Sequence, residues 1–234
     1  MKLPTPEIVE VLAAGGLDFV VLDNEHALIG PRDLSAMIAI ARGCGIVPFV
    51  RVPGHAPRDV QPPLDAGAAG LIVPHVDDAD QARDAVAACR FPPLGRRSVS
   101  NSGRAGGWGG VGLPDYMEQG NQDVCLIGQL ESREAVENAD AIASTPGLDG
   151  VMIGPADLAV SCGLGLDDPE LERMVRGIEE TCRRAGHVMG ITAPDGAGAA
   201  SRIARGHRFV VVATDAALLV RSARAVVASA AASR

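Results

Sequence analysis

Apolar residues fall in short runs along this chain, separated by longer stretches in which they recur every three or four positions. The runs at 18–23, 47–52, 70–73, 124–130, 150–153, 188–191 and 209–213 are rich in Val, Ile and Leu, the pattern of strands buried on both faces. Between them, 31–42, 78–89, 133–144, 169–185 and 195–205 carry the helical period, several opened by Pro, Asp or Ser and closed by Gly, as helix ends prefer. Repeated strand–helix units imply a parallel sheet. An eighth strand is expected in residues 1–3, very short, ahead of a helix over 7–14 whose entry is set by Thr5 and Pro6.

Two architectures use this alternation. The open doubly wound sheet needs a GxGxxG turn after its first strand, which is absent. The strand count then predicts one α/β domain over residues 1–234, a (β/α)8 TIM barrel. One stretch interrupts the rhythm: residues 91–112 hold Pro92, Pro93, Arg96, Arg97, Arg104 and the glycine-dense Gly106-Gly107-Trp108-Gly109-Gly110. Such a loop is either functional or a solvated excursion. The Ala/Ser-rich end after Arg224 reads as a helix that packs on a neighbouring subunit or frays.

Composition narrows the function. Hydrophobic residues make up 47% and aromatics only 3%, so the core is built from Ala, Val, Leu and Ile. A net charge of −8 without any basic run argues against a nucleic-acid partner. There is neither a basic start followed by an apolar stretch nor an apolar run of about 18 residues, so a cytoplasmic protein without membrane contact is expected. Five cysteines without a CxxC pair read as small buried hydrophobes.

In a parallel barrel the chemistry gathers at the carboxyl ends of the strands. Those ends carry Asp23-Asn24-Glu25-His26, Arg51-Val52-Pro53, Gln129-Leu130-Glu131-Ser132 and Gly154-Pro155-Ala156-Asp157. Glu131 and Asp157 follow adjacent strands, so two carboxylates can face one hard divalent cation with coordination positions left open. The bland alternative is that each caps the helix that follows it. Arg51 is expensive to bury unpaired, so it meets either an anionic substrate or a structural partner, Asp23 or Glu25. His26 is the candidate base, with Asp23 and Glu25 as orienting groups. His75 is a secondary candidate, while His55, His187 and His207 read as surface residues. The backbone amides of Ala156 and Asp157 suit a substrate carboxylate.

Six stretches in order, 19–26, 50–53, 70–74, 91–97, 128–132 and 154–158, resemble the HpcH/HpaI family of class II pyruvate aldolases within the phosphoenolpyruvate/pyruvate barrel superfamily. The resemblance implies a lyase that reversibly cleaves 4-hydroxy-2-oxo acids to pyruvate or hydroxypyruvate and an aldehyde through a metal-stabilised enolate. It implies Mg²⁺, Mn²⁺ or Co²⁺ held at Glu131 and Asp157, and Arg51 at the enolate oxygen. Gln129, Gly154, Pro155 and Ala156 then line the substrate site, and His26 with Asp23 handles the proton. Trp108 and the segment 214–218, with Ala216, are the expected walls toward the aldehyde. A homo-oligomer, a hexamer or trimer of dimers with an exchanged C-terminal helix, is implied as well. The chain departs from the family pattern in its short first strand and in Arg96-Arg97-Ser98, where a glycine more often follows the arginine. Its one lysine, Lys2, stands too early to form a Schiff base. Competing readings are a citrate lyase β-like enzyme acting on acyl-CoA thioesters and a keto-acid-binding barrel without catalysis.

Overall fold

The computed structural model describes residues 1–232 of the chain. Its seven strands, β1 Phe19–Asp23, β2 Val47–Arg51, β3 Gly70–Val73, β4 Cys125–Leu130, β5 Gly150–Ile153, β6 Val188–Ala193 and β7 Phe209–Val212, pair in chain order and all in parallel. The α-helices are α1 Pro6–Ala14, α2 Pro31–Cys44, α3 Pro57–Asp65, α4 Ala79–Cys89, α5 Leu113–Gln122, α6 Arg133–Glu137, α7 Ala139–Ala143, α8 Pro155–Cys162, α9 Pro169–Ala185, α10 Gly196–Ala204 and α11 Asp215–Ala232. The result is a nearly closed α/β barrel of the TIM type. The helical segment 133–144 is divided at Asn138, whose ψ of 4° ends α6 and starts α7.

Local chemistry sets the element starts. Asp78, Ser132, Asp168 and Asp195 each accept a hydrogen bond from a first-turn amide of α4, α6, α9 and α10, satisfying donors that no helical carbonyl can reach. Between strands and helices lies the main core, with Leu22, Val50, Leu71, Leu126, Val151 and Ile191 facing Met37, Ile38, Leu64, Ile142 and Ile178.

The barrel interior is built from the opposite strand parity. Phe49, Ile72, Ile127, Met152 and Phe209 form a second cluster with Phe19, Val21, Cys125 and Val211 packed against it. Three phenylalanines meet there, with Phe19 and Phe209 stacked at 4.3 Å between ring centroids and Phe49 edge-on to both. Gly70 makes room for them, since a Cβ there would lie 2.4 Å from the Phe49 ring.

The eighth strand of the sequence reading is met in position only. Residues 1–3 carry no strand assignment, yet Met1 bonds to Val21 and accepts from the Asp23 amide at 3.2 Å. The amides of Lys2 and Leu3 donate to the Asp215 carboxylate at 2.8 and 3.0 Å. The segment thus runs beside β1 and is clipped to the start of α11, filling the seam between β1 and β7.

The long connection 91–112 is pinned to the barrel at Arg97 and Ala105, while residues 107–110 of its glycine-dense stretch stay exposed. Arg97 is buried, donates to Asp65 at 2.7 Å and to the Tyr116 hydroxyl at 3.2 Å, and covers the Phe91 ring at 4.4 Å. Two residue readings are corrected. His207 is fully buried, with Nε2 2.8 Å from Glu179 Oε1 of α9, because the α10–β7 turn folds it beneath that helix. Cys44 is exposed at the end of α2, where the apolar stripe of the helix has already ended.

Candidate active site

Continue the inward parity of each strand past the Phe layer and the site is spelled out. Phe19 and Val21 are followed by Asp23, Phe49 by Arg51, Cys125 and Ile127 by Gln129 and Glu131, and Gly150 and Met152 by Gly154. Alternate residues of a strand share a face, so four polar side chains and one glycine converge at the carboxyl rim above an apolar plug.

Register does the rest. Asp23 pairs with Arg51 across β1 and β2, and the guanidinium donates Nε and Nη2 to the two Asp23 oxygens at 3.0 and 2.8 Å. Its third nitrogen, Nη1, lies 2.9 Å from Glu25. Burial opposes the charge on both partners, but the hydrogen bonds outweigh it. Asp23 is held well below the usual carboxylate range by Arg51 and Lys2, and Arg51 is raised. The structural partners expected for Arg51 are thus both met, Asp23 and Glu25.

Lys2 also reaches the site. Its ammonium pairs with Asp23, because residues 1–3 run along β1 and deliver residue 2 to that strand's carboxyl end.

Glu131 is only 3% exposed. One of its oxygens accepts the His75 backbone amide at 3.0 Å, and the other accepts from Gln129 Nε2. Burial pushes its carboxyl up, these donors pull it down, and the nearby negative charge of Asp157 raises it further. Glu131 caps no helix, since Ser132 holds that position in α6. Asp157 sits exposed in the first turn of α8, whose cap Gly154 makes no side-chain bond. Gly154 is needed there. A Cβ at this residue would lie 2.8 Å from Glu131 Oε2 and 3.3 Å from Gln129 Nε2, so only glycine lets α8 begin against the carboxylate. The amides of Ala156 and Asp157 in that uncapped turn remain available to an anion.

His26 donates its backbone amide to Asp23 at 3.2 Å, but its ring is half exposed and lies nearer Glu25, at 3.7 Å. His75 is the larger surprise. With a left-handed φ of 53°, it places Nδ1 3.1 Å from Glu131 Oε1 and Nε2 3.1 Å from Glu25 Oε1. Glu25, His75 and Glu131 thus offer ligand atoms within 4.8 Å of one another, a group able to hold a metal ion. The signal for His75 is its place after β3, at the carboxyl end of a strand, which made it a secondary candidate. Asp157 stands outside that cluster.

Trp108 is 71% exposed, under Arg104, and lines a cavity of about 370 Å³ with Asn24, Leu34, Pro53 and Arg104. That cavity touches the site only through Asn24 and Pro53. Ala216 is half-buried in the first turn of α11. Burial pushes the Cys89 and Cys125 thiols up to about 11 and Cys182 to about 12, which disfavours a reactive thiolate at these three positions.

The HpcH/HpaI aldolase/citrate lyase family matches residues 1–222. A 5-keto-4-deoxy-D-glucarate aldolase of Enterobacter sp. (strain 638) is 40% identical over 218 residues, covering 91% of this chain and 83% of the relative. A hydroxypyruvate/pyruvate aldolase of Deinococcus radiodurans is 39% identical, with 98% and 83% covered. Among solved structures, an HpcH/HpaI aldolase/citrate lyase family protein from Burkholderia cenocepacia superposes with a TM-score of 0.92 at 34% identity, over 98% of this chain and 92% of the other.

Proposed function

The chain belongs to the HpcH/HpaI aldolase/citrate lyase family, and on that premise we propose that it is a divalent-metal-dependent class II aldolase. Its substrates are 4-hydroxy-2-oxo acids, cleaved reversibly to pyruvate or hydroxypyruvate and an aldehyde, a reading supported by relatives named 5-keto-4-deoxy-D-glucarate aldolase and hydroxypyruvate/pyruvate aldolase.

One observation carries the metal reading: a nearly fully buried carboxylate, Glu131, whose charge is opposed by that of Asp157, has no Lys or Arg ion pair among the described residues. Such an arrangement is electrostatically unfavourable until a proton or a cation offsets it. The donor set fits the group. The ligands in this reading are Glu131 and Asp157, hard oxygens suited to Mg²⁺, Mn²⁺ or Co²⁺. Gln129 Oε1, buried and without a partner, suits a donor brought in with the cation. When bound, a divalent ion polarises the keto group and takes up charge as C3–C4 breaks.

The chain's own residues do the remainder. Arg51, fixed by Asp23 and Glu25, holds a permanent positive charge against the developing enolate oxygen, and its geometry is set before substrate arrives. The amides of Ala156 and Asp157, behind Gly154 and Pro155, receive the substrate carboxylate at the start of α8. His26, reaching into solvent beside Glu25, accepts the 4-hydroxyl proton during cleavage and returns it in the reverse reaction. Asp23 acts through Arg51 and the backbone of residues 25 and 26. Trp108 and Ala216 border the aldehyde side.

A homo-oligomer, hexamer or trimer of dimers, is part of the same proposal. From Leu219 to Ala231 every residue of α11 is exposed, including Leu219, Val220, Val226 and Val227, which supports packing of this helix on another copy. No helix among the described residues is long and apolar enough to cross a membrane, in keeping with the cytoplasmic reading.

The test is pyruvate formation from a panel of 4-hydroxy-2-oxo acids by wild type and Glu131→Ala, in EDTA and then with Mg²⁺ or Mn²⁺. Cleavage that needs metal and disappears in the variant supports the assignment. Equal cleavage in EDTA, or none across the panel, rejects it.

A further inference from the structure

We infer that His75 is a nitrogen ligand of the divalent cation held at Glu131, oriented by Glu25, so that this site has mixed nitrogen and oxygen donors. The inference rests on the metal reading above and deepens it.

Three contacts carry it. His75 Nε2 lies 3.1 Å from Glu25 Oε1, and Nδ1 lies 3.1 Å from Glu131 Oε1. Glu25 is itself anchored by Arg51 at 2.9 Å. A histidine that binds a metal commonly donates its other ring N–H to a carboxylate, which fixes both tautomer and ring plane. Here Glu25 takes that part. With Nε2–H given to Glu25, Nδ1 and Glu131 Oε1 face each other lone pair to lone pair, a contact that only a proton or a cation between them makes favourable.

The spacing suits the cation. Two ligands at about 2.1 Å from an octahedral ion, at right angles to one another, are about 3.0 Å apart, close to the observed 3.1 Å. The ring also arrives preset. The left-handed backbone of His75 (φ 53°) is one that side-chain-bearing residues rarely adopt, and the His75 amide is bonded to the same Glu131 oxygen at 3.0 Å. Independently, Gln129 is 2% exposed, its amide nitrogen is bonded to the other Glu131 oxygen, and its Oε1 has no partner. An unpaired acceptor buried beside the carboxylate calls for a donor that arrives from outside the chain, and a water carried by the cation is one. An imidazole in the ligand set shifts preference from Mg²⁺ toward Mn²⁺ and, more strongly, Co²⁺.

The experiment strips the full-length protein with EDTA, reloads it with Mn²⁺ and records nitrogen coupling to the manganese by electron spin echo. Affinities for Mn²⁺, Co²⁺ and Mg²⁺ are measured by calorimetry in wild type, His75→Leu and His75→Gln. The expected result is imidazole coupling in wild type that both variants lose, with Co²⁺ affinity falling about tenfold or more and Mg²⁺ affinity changing far less. Absence of coupling in the wild type, or its persistence in either folded variant, overturns the inference; the wild-type measurement needs no variant to fold. Pyruvate formation is read separately. Nitrogen coupling without pyruvate formation keeps this ligand set and rejects the aldolase reading, and pyruvate formation without coupling does the reverse.

Discussion

Arg51 and Asp23 are register partners on β2 and β1, joined by two hydrogen bonds of 3.0 and 2.8 Å at the barrel rim. Each partner makes the other's burial tolerable, and the guanidinium that results is fixed in place. Arg51→Lys keeps the charge but loses the fork that matches both Asp23 oxygens. The expected outcome is a fall in kcat of about a hundredfold, with a smaller change in KM, read from steady-state pyruvate formation.

Acid stability follows from the same pair. Asp23 has its folded-state pKa depressed by Arg51 and Lys2. The stabilisation is therefore present above the unfolded value of about 4 and is lost as pH falls through the lower folded value. Asp23→Asn removes it, so the variant melts below wild type at pH 7, and the gap narrows steadily as pH is lowered below about 4. Thermal melts across pH 3–7 check this; a gap that is constant with pH rejects the linkage.

Glu131 behaves with the opposite sign. Its folded pKa is raised, so its ionisation opposes folding in the metal-free protein, and stability declines as pH rises through that value. Glu131→Gln in EDTA should be at least as stable as wild type at pH 7. Adding Mn²⁺ at about 100 times its Kd should stabilise wild type by about 2.7 kcal/mol, a shift of several degrees, and leave the variant unmoved. Differential scanning fluorimetry with and without metal decides it.

Gly154→Ala tests the close approach of α8 to the carboxylate. The added Cβ falls 2.8 Å from Glu131 Oε2, and the backbone φ of −100° tolerates alanine, so the effect is steric and local. Metal affinity by calorimetry should drop about tenfold or more while the far-ultraviolet circular dichroism is retained.

His207→Ala separates stability from catalysis. The ring is fully buried against Glu179, which also pairs with Arg205, and removing it leaves a cavity and a buried carboxylate with one partner fewer. A loss of about 2–4 kcal/mol in denaturant melts is expected, with kcat of the surviving folded protein unchanged.

The alternation of apolar runs and helical periods by itself determined the barrel, because parallel strands buried on both faces leave a signal that local residues carry. All seven long runs became strands at or near their sequence bounds. The polar residues at their ends, Asp23, Arg51, Gln129 and Glu131, were legible for the same reason: strand parity is a property of the chain. What sequence could not supply was proximity between residues whose chain separation hides it. Lys2 reaches Asp23 only because residues 1–3 lie along β1. His75 meets Glu25 and Glu131 only because its left-handed turn closes over the rim, and His207 is buried only because α9 covers it. Period and parity are local and can be read in one dimension, whereas the partners of a charge are chosen by packing, and packing exists only once the sheet has curled.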